Sequence, residues 1–159
     1  MTRYLHNYDK DYAFGGNTFA MEIVDGRLFV GVAHCSDKDQ YVKTIGRDIA
    51  TSYLDELKHA YRTSGVECVT IGTDIPKMGK ITGFVVNDDV MYNIIVTSYN
   101  ENFYAVSSHI EIEVKNIDYM AIEGAELKDM LIKFYNEIVY SMFEEVDVTT
   151  LADYSYSSF

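Results

Sequence analysis

Cys35 and Ser36 are the first side chains to weigh for chemistry, because they sit where a hydrophobic strand gives way to a helical pattern. A thiol beside a helix N-terminus can be held as thiolate, and with a distant His either residue would make a nucleophile. Asp37 and Asp39 oppose that reading, since two carboxylates there disfavour a thiolate, and no nucleophile elbow surrounds either residue. The same segment, AHCSDKD, lacks the glycines with which a backbone cradles phosphate. Metal ligation is equally poorly supplied. His34 and Cys35 are adjacent and would point to opposite faces of a strand, His6, His59, His109 and Cys68 are scattered, and no CxxC, HxxH or HExxH occurs. The expectation is a chain without catalytic residues, metal or cofactor, with a cysteine-dependent enzyme centred on Cys35 as a minor alternative.

Carboxylates are the abundant functional group. Asp37/Asp39, Asp88/Asp89, Glu111/Glu113 and Glu144/Glu145 come in pairs, and the chain from Ala121 onward carries eight acids against Lys128 and Lys133. Glu126, Asp129, Glu137, Glu144 and Glu145 fall on one helical segment. They form a candidate surface for a basic groove, and if spaced like phosphates they would imitate a nucleic acid. The plainer reading is a solvated helix face.

The elements that must position these groups are legible from periodicity. Residues 1–15 read as a leader whose aromatics pack onto the domain, closed by Gly15-Gly16. Thr18 to Val24 and Arg27 to His34 form a hairpin around Asp25-Gly26, a pair that tolerates the positive φ angles of a type I′ turn. The returning strand is apolar on both parities and belongs in the sheet interior. Ser36 is the expected N-cap of a first helix whose apolar face is Tyr41, Val42, Ile45, Ile49, Tyr53, Leu54, Leu57 and Tyr61, with Gly65 closing it. Gly46 inside that helix costs about 1 kcal/mol relative to Ala, and a closely approaching strand is a reason to place it there. Further strands are expected at 67–72, 81–86, 91–99 and 103–114, the last with Ile110, Ile112 and Val114 on one face and Glu111 and Glu113 on the other. A second helix runs over 125–145 with the stripe Leu127, Met130, Leu131, Phe134, Ile138, Met142 and Val139. The fold class is α+β: one domain over 16–146, a mainly antiparallel sheet of five or six strands packed by two long helices, then an acidic Ser- and Tyr-rich tail over 147–159.

Bulk composition narrows the partners. The chain has 159 residues and a net charge of −12, so generic nucleic-acid binding and anionic membranes are disfavoured while a basic protein partner is favoured. An aromatic content of 14% argues against disorder, and the two cysteines read as buried thiols of a cytoplasmic protein. No apolar h-region follows the N-terminus, and no run reaches the length of a spanning helix. Fourteen tyrosines keep a second function class open: a small-ligand or nucleotide-sequestering protein with an aromatic pocket. The apolar second helix makes a homodimer reasonable.

The junction LFVGVAHCSDKDQYVKTIGRDIATSYL resembles a segment of small bacteriophage accessory proteins of uncharacterised activity, in which a strand precedes C-S-x-K-D-x-aromatic-x-K/R-x-x-G-R-x-I-A. The matching positions are Cys35, Ser36, Lys38, Asp39, Tyr41, Lys43, Gly46, Arg47, Ile49 and Ala50, while Asp37 stands where such sequences often carry Pro. The resemblance implies a phage origin and a role in host takeover, by binding and inhibiting a host or anti-phage defence protein. It also makes Lys38, Asp39, Lys43 and Arg47 candidates for a shared partner-binding role.

Overall fold

The computed structural model describes residues 1–8, 14–72, 80–86, 91–99, 105–113 and 125–145. Seven strands and two helices are present among them, so the α+β class is as expected and the strand count is higher. The expected tail over 147–159 lies outside the described residues. The chain divides into two compact units, Met1–Glu67 with Thr82–Asn87, and Cys68–Ile81 with Asp88–Phe159. Among the described residues no helix is long and apolar enough to cross a membrane.

In the first unit, β2 (Phe14–Val24) and β3 (Arg27–Gln40) form the hairpin, with Val24 opposite Arg27. Asp25 at φ 52° and Gly26 at φ 80° supply the two positive angles that the turn demands. β3 lies between β2 and β5 (Lys80–Val86), pairing Leu28–Gly31 with Gly83–Val86, which explains why both of its faces are apolar. The extra strand is β1 (Arg3–Asn7), antiparallel to β2 from Arg3↔Met21 to Asn7↔Asn17. Residues expected as a leader therefore contribute a sheet edge.

Helix α1 (Lys43–Ser64) crosses this sheet. Two expectations about it are corrected. Ser36 is not its N-cap, because β3 continues to Gln40 and the capping position is Val42, which offers no side-chain hydrogen bond. Ser36 Oγ instead accepts the Lys38 backbone N–H at 3.3 Å, a local turn that competes with helix capping. Asp37 and Asp39 consequently belong to the strand and not to the positive end of α1.

The second correction concerns the buried face. Ala50, Leu54 and Leu57 are buried, but Val42, Ile45 and Ile49 are exposed. The line that meets the sheet is Gly46, Ala50, Leu54 and Leu57, offset from the aliphatic stripe. Small residues allow the approach: a Cβ on Gly46 would collide with Thr18 Oγ1, and one on Gly31 would meet the Ala50 carbonyl and, at 2.5 Å, the Leu54 nitrogen. The close strand expected at Gly46 is thus β2. Gly65 ends α1 in the left-handed conformation at φ 68°, its N–H reaching the Tyr61 carbonyl at 2.9 Å. Phe19, Met21, Phe29, Val30, Val32 and Phe84 are buried in this unit, and alternation from Thr18, Gly31 and Gly83, which face α1, puts all but Phe29 on the other face of the sheet.

In the second unit β4 (Cys68–Gly72) pairs parallel with β6 (Met91–Tyr99), and β6 pairs antiparallel with β7 (Ala105–Glu113). The pairings of β1 with β2, β2 with β3, β3 with β5 and β6 with β7 are antiparallel, in keeping with a mainly antiparallel sheet, and β4 with β6 is parallel. Along β7 the alternation holds: Ile112 is buried while Glu111 and Glu113 are exposed. Helix α2 (Ala125–Glu145) buries Leu127, Met130, Leu131, Phe134 and Ile138, as its period requires, and Val139 and Met142 lie outside the described side chains. Phe134 meets Tyr92 of β6 edge-to-face with ring centroids 5.7 Å apart. Burial pushes the Tyr135 phenol up to about 12.

Candidate functional site

The register of the hairpin breaks where β3 leaves the core. Gly16 faces Cys35, yet Phe14 already faces Gln40, so Ser36–Asp39 form an excursion on the β3 side. The Cys35 thiol closes it by donating to the Asp39 carbonyl at 3.4 Å. That excursion, the following Tyr41 and the exposed stripe of α1 enclose a cleft of about 290 Å³. Val42, Ile45, Gly46 and Ile49 form one wall, Ala33–Ser36 the other, and Asp39, Gln40, Tyr41 and the buried Thr18 complete it. Asp39 is exposed, and its carboxylate makes no hydrogen bond or ion pair among the described residues.

Behind Tyr41 lies a polar network that ties β1 to α1. Arg47 Nε donates to His6 Nε2 at 3.0 Å. A guanidinium only donates, so Nε2 is the acceptor and the His6 proton sits on Nδ1. Nδ1–H then donates to Tyr41 Oη at 2.6 Å, Tyr41 Oη lies 2.5 Å from Thr18 Oγ1, and its hydroxyl donates to the Asn17 carbonyl at 3.3 Å. Thr18 Oγ1 also lies 3.3 Å from His6 Nδ1. Burial lowers the His6 pKa, and the Arg47 and Lys43 charges lower it further. Burial raises the Tyr41 phenol, opposed by its hydrogen bond to Thr18. A His, a Tyr and a Thr in contact suggest a base and a nucleophile, but the tautomer leaves His6 no lone pair to offer. The network is a clamp.

Aromatic packing reinforces it. Tyr8 stacks on Tyr41 at 4.3 Å, the Lys43 ammonium lies 5.7 Å from the Tyr8 ring centre, and the Arg47 guanidinium lies 5.2 Å from that of Tyr4. Tyr4 Oη meets Thr51 Oγ1 at 2.8 Å.

Of the candidates read from sequence, Lys38, Asp39, Lys43 and Arg47 all belong to this part of the first unit. Asp39 lines the cleft, Lys38 is exposed one residue before it, and Lys43 and Arg47 turn their charges onto β1. The five acids lie on α2 in the second unit. Asp129 is exposed and Glu137 half-buried, whereas the side chains of Glu126, Glu144 and Glu145 lie outside the described residues. Helical spacing puts Lys133 between Asp129 and Glu137, so that stripe alternates in sign. Neither cysteine is in a disulfide, and no group of three His, Cys, Asp or Glu side chains among the described residues could hold a metal ion. Thr18, His6, Tyr4 and Tyr8 were missed from sequence. Tyr4, His6 and Tyr8 follow a period of two, which the structure turns onto the face that meets α1. Comparison with protein-family models, with curated proteins and with solved structures gives no match.

Proposed function

We propose that the chain is a non-catalytic, phage-encoded binding protein that inhibits a host or anti-phage defence protein in the host cytoplasm. The observation that carries this reading is the open cleft walled by Val42, Ile45 and Ile49, which are 40%, 57% and 41% exposed. An aliphatic strip of that kind, rimmed by polar residues, gains free energy when a partner covers it. The net charge of −12 favours a partner with a basic surface, including one whose nucleic-acid groove an acidic protein would occupy. Tagged protein should capture one dominant nucleic-acid-handling protein from a bacterial lysate, and Ile45→Glu should abolish the capture. Inhibition should weaken as salt rises through a few hundred millimolar, and salt-insensitive inhibition would overturn the mimicry of nucleic acid. The second reading, a small-ligand or nucleotide-sequestering protein, draws on the same cleft. It takes over if no partner is captured at low or moderate salt and a nucleotide library raises the melting temperature by several degrees.

A further inference from the structure

We propose that the cleft between β3 and α1 receives a single arginine side chain of the basic partner. The inference rests on the binding-protein reading above and adds the chemistry of the anchor. At about 290 Å³ the cavity falls at the small end of ligand sites, which span roughly 300–1,000 Å³, and suits one long side chain better than a whole cofactor. Its α1 wall is aliphatic, matching the methylene stem that arginine buries while its head stays polar. Asp39 supplies the one carboxylate among its described lining residues, and two oxygens suit the forked guanidinium.

Among the described residues the neighbouring cations do not satisfy Asp39. Arg47 is committed to His6 and the Tyr4 ring, and Lys43 to the Tyr8 ring. Lys38 precedes Asp39 in the excursion, and among the described residues no ion pair joins the two. Clamping these cations on β1 keeps them from competing for the cleft's carboxylate. The long-range field of a −12 protein delivers a cationic group to the site, and the aliphatic wall retains it. Arginine in a desolvated pocket is also among the side chains that dominate interface energetics.

The test is a backbone-amide NMR titration of the full chain with three peptides: acetyl-Gly-Arg-Gly-amide, its citrulline counterpart, an uncharged near-isostere, and its lysine counterpart. The arginine peptide should shift amides of 33–49 saturably and bind about tenfold more tightly than the citrulline peptide, the margin of a charge-assisted fork. Asp39→Asn should erase that margin, and Ile49→Ala should weaken both peptides. Shifts spread over the acidic surface, an unchanged margin in Asp39→Asn, or equal binding of a lysine peptide would each overturn the proposal. Equal capture of a host protein by wild type and Asp39→Asn overturns the arginine anchor alone. Arginine binding without any captured partner instead sinks the inhibitor reading and leaves the anchor standing.

Discussion

Gly46→Ala is the substitution for which helix propensity and packing give opposite signs. In an exposed helix the change stabilises by about 1 kcal/mol. Here the new methyl would overlap Thr18 Oγ1 and stand 3.1 Å from Thr18 Cβ. Thr18 is 1% exposed and its Oγ1 is hydrogen-bonded to Tyr41 Oη, so a rotamer change would break that bond. Overpacking of a core contact costs roughly 1–3 kcal/mol, and losing the Tyr41 hydrogen bond costs about 1 kcal/mol more. Subtracting the propensity gain leaves a net destabilisation of about 1–3 kcal/mol.

A double-mutant cycle isolates the cause. Thr18→Ala removes the colliding oxygen, so Gly46→Ala introduced into that background should range from neutral to about 1 kcal/mol stabilising, the Cβ contact at 3.1 Å limiting the gain. The coupling between the two sites should reach about 2 kcal/mol, well above the ~0.5 kcal/mol scatter of independent sites. Urea unfolding followed by circular dichroism of the four proteins measures it. If Gly46→Ala stabilises the wild type, or the two changes simply add, α1 does not rest on Thr18 and the account of the cleft fails with it.

Other perturbations follow from the same geometry. Because the folded His6 pKa lies below its ordinary 6.5, the unfolded chain takes up this proton first, and stability should decline as pH falls below that value. His6→Gln should flatten that part of a denaturation-versus-pH curve. The Glu22 carboxylate, held below its ordinary 4.5 chiefly by its hydrogen bond from Lys58, contributes stability above that value that is lost at lower pH. Glu22→Gln should cost about 1 kcal/mol at pH 7 and remove this second decline, measured by the same titration. Leu54→Ala, at a side chain 1% exposed beneath α1, should cost about 2–5 kcal/mol in urea unfolding.

The hairpin, the interior position of β3, the closing role of Gly65, the alternation of β7 and the buried stripe of α2 were legible because each rests on a local rule of period or turn chemistry. β1 was not, since five residues carrying Arg3, Tyr4, Leu5, His6 and Asn7 show no alternation of apolar with polar residues. What they alternate is contact with α1 against its absence, visible only once Tyr4, His6 and Tyr8 are seen to meet Thr51, Arg47 and Lys43. The start of α1 was misplaced because Ser36 and Asp39 imitate a capping box. Nothing local records that β2 reaches Gln40 through the break between Phe14 and Gly16. The parallel pairing of β4 with β6 was likewise beyond any local signal.

Several local rules are broken together at one place. Around residues 35–49 the chain leaves a helix without a side-chain cap, puts glycine inside it, breaks the register of a hairpin and exposes three large aliphatic residues. Each choice opposes local stability, and together they compose the cleft. Gly46 and Ala50 let α1 settle onto β2 and β3, which turns Val42, Ile45 and Ile49 outward. The excursion of β3 then brings Asp39 opposite them, and the His6 clamp draws Lys43 and Arg47 away. A sequence selected for folding alone would resolve such conflicts one by one, with a capping residue, an alanine at 46 and polar residues at 45 and 49. That they remain, and converge on a single surface, is the physical argument behind the interaction site proposed there.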